Sequence, residues 1–142
     1  MSDFIIFTIN EAQYALDVSN IERIDQVPSL TPIPNSHAFL DGIMMYQGNT
    51  LKVLNFRKMT NAPGEEPVVS TQKLLIYRDN KGLFAIKVDS IKDITAFDPS
   101  SIKPYARSVT VGEYLLTRGV VEYKQSLVVV IDTVELPGDE AA

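Results

Sequence analysis

The chain contains no cysteine among its 142 residues, which excludes disulfides, thiolate metal sites and thiol nucleophiles. It has a single histidine, His37, so a histidine-based triad, a zinc cage and an HExxH motif are excluded as well. A lone histidine in a connector is most often a solvated side chain. Long apolar runs are also missing. The longest, such as Leu127–Ile131, have five residues, against the roughly 20 that span a bilayer. Basic residues are outnumbered, giving a net charge of −5, which argues against a nucleic-acid or anionic-membrane surface. Gly42, Gly48, Gly112 and Gly119 stand singly, so no loop is built to cradle phosphate. The opening Met-Ser-Asp-Phe lacks a basic region and a long apolar stretch, so no signal peptide is expected.

Carboxylates are present but scattered: Asp17, Glu22, Asp25, Asp41, Asp89, Asp93, Asp98 and Glu113 form no adjacent pair. Solvated faces explain them better than acid–base chemistry. With 45% hydrophobic residues the chain can bury a core. At this length it fits one compact domain or two very small ones sharing a core. No catalytic residue, metal or cofactor is expected; the protein binds something without transforming it.

What the chain does have is a pattern written twice. Phe4–Ile24 lies over Leu74–Ile94 without a gap, an offset of 70 residues that pairs Asn10/Asn80, Tyr14/Phe84, Leu16/Ile86, Val18/Val88 and Ile21/Ile91. Gly42–Met59 lies over Gly119–Leu136, now offset by 77, pairing Gly42/Gly119, Tyr46/Tyr123, Val53/Val130 and Asn55/Asp132. The expected halves are residues 4–62 and 71–136, two β modules of the same topology. Residues 137–142 read as a flexible tail.

Each half opens with a hairpin. Phe4–Ile9 and Lys73–Tyr77 are strand-like, turn residues follow, and Tyr14–Val18 and Leu83–Val88 return with the alternation of a half-buried strand. Ile21-x-x-Ile24 and its counterpart suit a turn feeding another strand, since proline soon stops any helix. Thr31-Pro32-Ile33-Pro34-Asn35-Ser36 is an extended connector that could cap a helical turn over Ser36–Leu40. Both halves close with a second hairpin. Asn55–Met59 and Asp132–Leu136 can each make a final helical turn, with Asn or Asp as N-cap. Matched Gly42 and Gly119 suit a backbone requirement such as a bulge. Tyr46 and Tyr123 are expected in the core. Short strands and frequent turns indicate small barrels or a sandwich, and two such units packed together leave a groove suited to binding.

Five segments in series resemble one family. Tyr14–Ile24 (YALDVSNIERI) is similar to the opening Y-A-L/I-D-V-x-x-V-x-E-I of CheW-like domains. Thr31–Asn35 resembles their T-P-V-P-N connector. Gly42–Met59 resembles G-V-I-N-L-R-G-x-V-x-P-V-I-D-L-R, keeping Gly42, Ile43, Gly48, Val53, Leu54 and Arg57. Ala85–Ile91 resembles G-L-V-V-D-x-V, and Ile102-Lys103-Pro104 resembles I-x-P. The match covers almost the whole chain, leaving no room for an attached kinase or response-regulator domain, so residues 1–142 read as a single CheW-like domain.

The resemblance implies a mainly β fold of two five-stranded barrel subdomains. It also implies a non-enzymatic, cytoplasmic adaptor that couples membrane-associated chemoreceptors to the regulatory domain of a CheA-type histidine kinase. It assigns receptor contact to Ile21, Arg23, Gly42, Gln47 and Gly48, and kinase contact to Lys103, Pro104 and Arg107. No nucleic acid and no direct membrane insertion are implied. Two positions depart from the pattern: Gln47 stands where the family has arginine, and Arg23 where it has glutamate. An exposed pair of that kind contributes about 0–1 kcal/mol, so the fold tolerates the change while partner choice responds to it. Ile21 could instead belong to the core, because it repeats at Ile91. A diverged scaffold in another pathway, such as pilus motility, and a small-ligand-binding β-barrel remain as alternatives.

Overall fold

The computed structural model describes residues 2–104 and 114–137, so Arg107 and residues 138–142 lie outside the described residues. Among the described residues ten strands carry the fold: β1 (Ser2–Ile9), β2 (Ala12–Asp17), β3 (Ile21–Gln26), β4 (Leu40–Tyr46), β5 (Asn49–Asn55), β6 (Lys73–Asp79), β7 (Gly82–Val88), β8 (Ser90–Phe97), β9 (Leu115–Tyr123) and β10 (Ser126–Val134). One helical turn, α1 (Phe56–Met59), follows β5. It starts where the sequence places it, because the Asn55 side chain accepts a hydrogen bond from the Lys58 N–H at 3.2 Å. The equivalent turn at Asp132 does not form; β10 runs through to Val134, paired with β9. Ser36–Leu40 likewise makes no helix: a single turn, closed by the Leu40 N–H on the His37 carbonyl at 3.0 Å, leads straight into β4.

Two five-stranded sheets result. The first has the order β8-β1-β2-β10-β9 and the second β3-β6-β7-β5-β4. Moving every strand to its repeat partner five places on converts one order into the other, so the duplication is real in space. The sheets, however, do not follow the halves of the chain. The second sheet uses the continuous stretch from β3 to β7, while the first joins β1 and β2 to β8, β9 and β10. Each half has given its opening hairpin to the other half's sheet. Parallel contacts make the exchange, β2 against β10 through Tyr14 and Ala15, and β5 against β7 through Val53–Asn55. Neither sheet is a closed barrel, since β8 does not pair with β9, nor β3 with β4.

The core explains the runs Phe4–Phe7 and Leu74–Tyr77. These strands are covered on both faces rather than one, so apolar residues fill consecutive positions. Phe4, Ile6, Ala15, Val128 and Val130 belong to a cluster within the first sheet. Val53, Leu74, Ile76 and Ala85 belong to its counterpart in the second. The alternate residues Ile5, Phe7, Leu16, Leu75, Tyr77 and Ile86 join the largest cluster, which lies between the sheets. Of the apolar residues matched by the repeat, Val18, Ile21 and Ile91 are only half-buried; Val18 opens the 3-10 turn Val18–Asn20 instead of ending β2.

The connectors are held in equivalent ways. Thr31 exchanges two backbone hydrogen bonds with Ile43, at 2.9 and 2.8 Å, and Lys103 does the same with Val120, at 2.8 and 2.9 Å. Beneath each crossing lies a glycine with positive φ, Gly42 at +142° and Gly119 at +154°. A Cβ on Gly42 would meet the Thr31 carbonyl oxygen at 2.5 Å, and one on Gly119 would meet that of Lys103. Close approach of two backbones, together with the adjacent bulge, is the reason for these glycines.

Candidate functional site

The open side of the second sheet, between edge strands β3 and β4, gathers residues from three strands. A bulge between Ile21 and Arg23 makes Glu22 the extra residue of β3, and a bulge redirects a side chain. Glu22 Oε2 accepts the Tyr46 hydroxyl at 2.8 Å, joining β3 to β4 where no ladder does. Its Oε1 accepts Arg78 Nε at 3.1 Å and also Arg78 Nη2. The hydrogen bond from Arg78, then that from Tyr46, holds the Glu22 carboxyl below its ordinary range. The Glu22 carboxylate in turn raises the Tyr46 phenol. Next to this trio Arg23 pairs with Asp25 at 3.2 Å and keeps 56% of its side chain exposed. Beyond Tyr46 the chain reverses through Gln47 (φ +49°) and Gly48 (φ +81°), the two positive values that a type I′ hairpin turn needs.

The first sheet fastens its open side in a similar way but with the carboxylate one position further along, since the repeat partner of Glu22 is Lys92 and that of Arg23 is Asp93. Tyr123, the partner of Tyr46, donates its hydroxyl to Asp93 on β8, which lowers the Asp93 pKa. Lys124, in the turn position equivalent to Gln47, lies 5.2 Å from the Tyr123 ring centre. Both rings are buried, so the expectation of core tyrosines holds, and their hydroxyls fasten the two open sides.

Two buried cations hold the linker between the halves. Arg57 Nη1 donates to Asp89 Oδ2 at 2.6 Å and to Asn10 Oδ1 at 2.7 Å, while Nη2 donates to the carbonyls of Pro63 and Glu65 at 3.0 and 3.3 Å. Lys87 Nζ lies 2.5 Å from Asp41 and 2.6 Å from Glu66. Asn55 Nδ2 donates to the same two carboxylates at 3.0 and 2.8 Å. Burial pushes the Glu66 carboxyl up, but hydrogen bonds from Lys87 and Asn55 outweigh it and bring the pKa to about 2. Asp41 and Asp89 are therefore not the solvated carboxylates that the sequence suggests. No spacing rule brings Asp41, Glu66 and Lys87 together; only strand pairing does.

Clefts open where the two sheets meet. One of about 380 Å³ is lined by residues including Tyr77, Lys81, Phe84 and Glu135. Its repeat counterpart, of about 530 Å³, is lined by residues including Asn10, Tyr14, Asn61 and Pro63. The first adjoins the second sheet's open side, since Asn20 lines it and donates to the Arg78 carbonyl at 3.0 Å. Among the described residues no group of histidines and carboxylates could hold a metal ion, and no helix is long and apolar enough to cross a membrane.

The family model for the CheW-like domain matches residues 3–140. The chain belongs to the CheW-like domain family. Its curated relatives include Chemotaxis protein CheW of Bacillus subtilis, 25% identical over 129 residues that cover 90% of this chain and 81% of the relative. The protein of the same name from Rhizobium meliloti is 21% identical over 140 residues, covering 97% and 89%. A crystal structure of the scaffolding protein TtCheW from Thermoanaerobacter tengcongensis superimposes with a TM-score of 0.81 at 20% identity, covering 92% of this chain and 84% of that one. The likeness to TtCheW shows the two-sheet architecture as that of the family.

Of the residues singled out by the family resemblance, Ile21, Arg23, Gln47 and Gly48 come together around the Tyr46–Glu22 contact. Ile21 is half-buried and packs against the core between the sheets, in line with its repeat at Ile91. Gly42 is different: it is buried beneath Thr31 and can contribute only backbone. Lys103 and Pro104 are exposed beside β9 of the other sheet. The sequence reading placed Tyr46 in the core and Glu22 among the solvated carboxylates, and gave Arg78 no role. The one available signal for them was the recurrence of Tyr46 at Tyr123.

Proposed function

We propose that this protein is a non-enzymatic adaptor that couples chemoreceptors to a CheA-type histidine kinase, working in the cytoplasm and recruited to membrane-associated receptor arrays. The observation that carries this reading is the CheW-like match over residues 3–140, together with relatives of matching length named as chemotaxis CheW proteins. The site chemistry supports it. The buried ionisable groups Arg57, Asp89, Lys87 and Asp41 are engaged in holding the linker rather than facing a substrate cavity. The receptor side is the β3–β4 edge with Ile21, Arg23, Gln47 and Gly48. The kinase side is the exposed connector at Lys103 and Pro104. Arg23 and Gln47 retune receptor choice rather than remove it, because the surface keeps exposed cations while its partners sit on different strands. Co-sedimentation with the cognate kinase's regulatory domain and with a receptor cytoplasmic hairpin tests the role. Binding to both, in one ternary complex, is expected; binding to neither overturns it.

A further inference from the structure

The two open sides carry equivalent tyrosines, Tyr46 and Tyr123, but differ in the carboxylate and the cation around them. In the first sheet the cation beside the tyrosine–carboxylate contact is Lys124, in the turn itself. In the second sheet that turn position is neutral Gln47, and the cation comes from β6 as Arg78. The repeat partner of Arg78 is Thr8, an uncharged residue that shares a hydrogen bond of 2.5 Å with Ser90. Arg78 is thus an addition peculiar to the side where Ile21, Arg23, Gln47 and Gly48 gather.

Its setting is built. The Tyr46 ring is buried in the second sheet's own cluster, and its hydroxyl fixes Glu22. Glu22 takes two N–H groups of the guanidinium on one oxygen, while Asn20 holds the Arg78 backbone. The Arg78 side chain nonetheless remains 57% exposed, and Nη1 has no hydrogen-bond partner among the described residues. An ion pair this exposed adds little to stability. What the relay does is hold a long side chain in one orientation, removing in advance the rotamer freedom that an arginine loses on binding. The free edge of such a planar fork suits a carboxylate.

We propose that Arg78, positioned by Glu22 and Tyr46, is the specificity-determining cation of this surface and takes a carboxylate of the receptor's helical hairpin. The proposal rests on the coupling role above. The experiment titrates a cognate receptor cytoplasmic hairpin fragment against wild type, Arg78→Gln, Arg78→Lys, Tyr46→Phe and the double variant Tyr46→Phe/Arg78→Gln, at two salt concentrations. Melting temperatures are measured alongside. Arg78→Gln should weaken binding roughly ten-fold and flatten its salt dependence. Arg78→Lys should recover only part of the loss, since an ammonium lacks the fork. Tyr46→Phe should weaken binding in the wild-type background and add nothing once Arg78 is gone, a coupling that a purely structural contact would not show in affinity. Wild-type binding with Arg78→Gln unaffected, or independent effects of the two substitutions, overturns the proposal and leaves the coupling role standing. A wild type that binds neither receptor fragment nor kinase regulatory domain overturns both.

Discussion

Beneath Thr31 there is no room for even one methyl group: a Cβ on Gly42 would lie 2.5 Å from a carbonyl oxygen. Gly42→Ala should therefore destabilise the protein by about 2–4 kcal/mol in urea unfolding. Gly48→Ala, with nothing within 4 Å of the new group and only its positive φ against it, should cost about 1 kcal/mol. Equal losses at both sites would remove close approach as the reason for Gly42. The linker network makes a prediction with pH. Glu66 falls from an ordinary 4.5 to about 2 on folding. Its contribution is therefore present above about pH 4.5 and lost as the pH falls towards 2. With 36% of its side chain exposed, screening leaves roughly 1–2 kcal/mol. Glu66→Gln should lower stability at pH 7 by that amount and flatten the acid limb between these values. An unchanged acid limb would show that Lys87 does not stabilise this carboxylate.

The strands and hairpins were legible because turn residues and apolar runs act locally. Asn10, Gln47-Gly48 and Lys124-Gln125 all take positive φ in the turns of the expected hairpins. What escaped were features set by distant pairing. The alternation of Tyr14–Val18 suggested one buried face, yet β2 is buried on both, because a second sheet covers it. Asp132 has the type of an N-cap, but Thr133 and Val134 pair with Leu116 and Leu115 and continue the strand. Arg57 belonged to a matching motif, but nothing local marks it as buried; that follows from Asp89 arriving beside it. The candidate site divides the same way. Arg23 and Gln47 could be named from position along the chain, whereas Arg78 reaches Glu22 only through the β3–β6 register. The tyrosine contacts also explain how each open side is secured without a ladder. Tyr123→Phe removes the hydroxyl that meets Asp93 and should cost about 1 kcal/mol. Its effect should add to that of Glu66→Gln, since the two contacts share no partner; a clear departure from additivity in thermal unfolding would mean the two sheets respond as one.

Because each half lends its opening hairpin to the other half's sheet, neither half contains a complete sheet. Residues 1–67 and 68–142 produced separately should lack the native circular dichroism spectrum and recover it on mixing in equal amounts. Native-like folding of either fragment alone would contradict the exchange. A cut at Pro67 is suitable because Arg57 and Lys87 grip the linker on its N-terminal side, through Pro63, Glu65 and Glu66. The same exchange bears on ancestry. Two half-length chains that swap hairpins make a two-fold symmetric dimer, and fusing them end to end through the stretch around Pro67 yields this topology without moving a strand. Fusion releases the copies from having to remain identical. The two open sides of this chain accordingly differ, one with Lys124 in its turn and the other with Arg78 on β6.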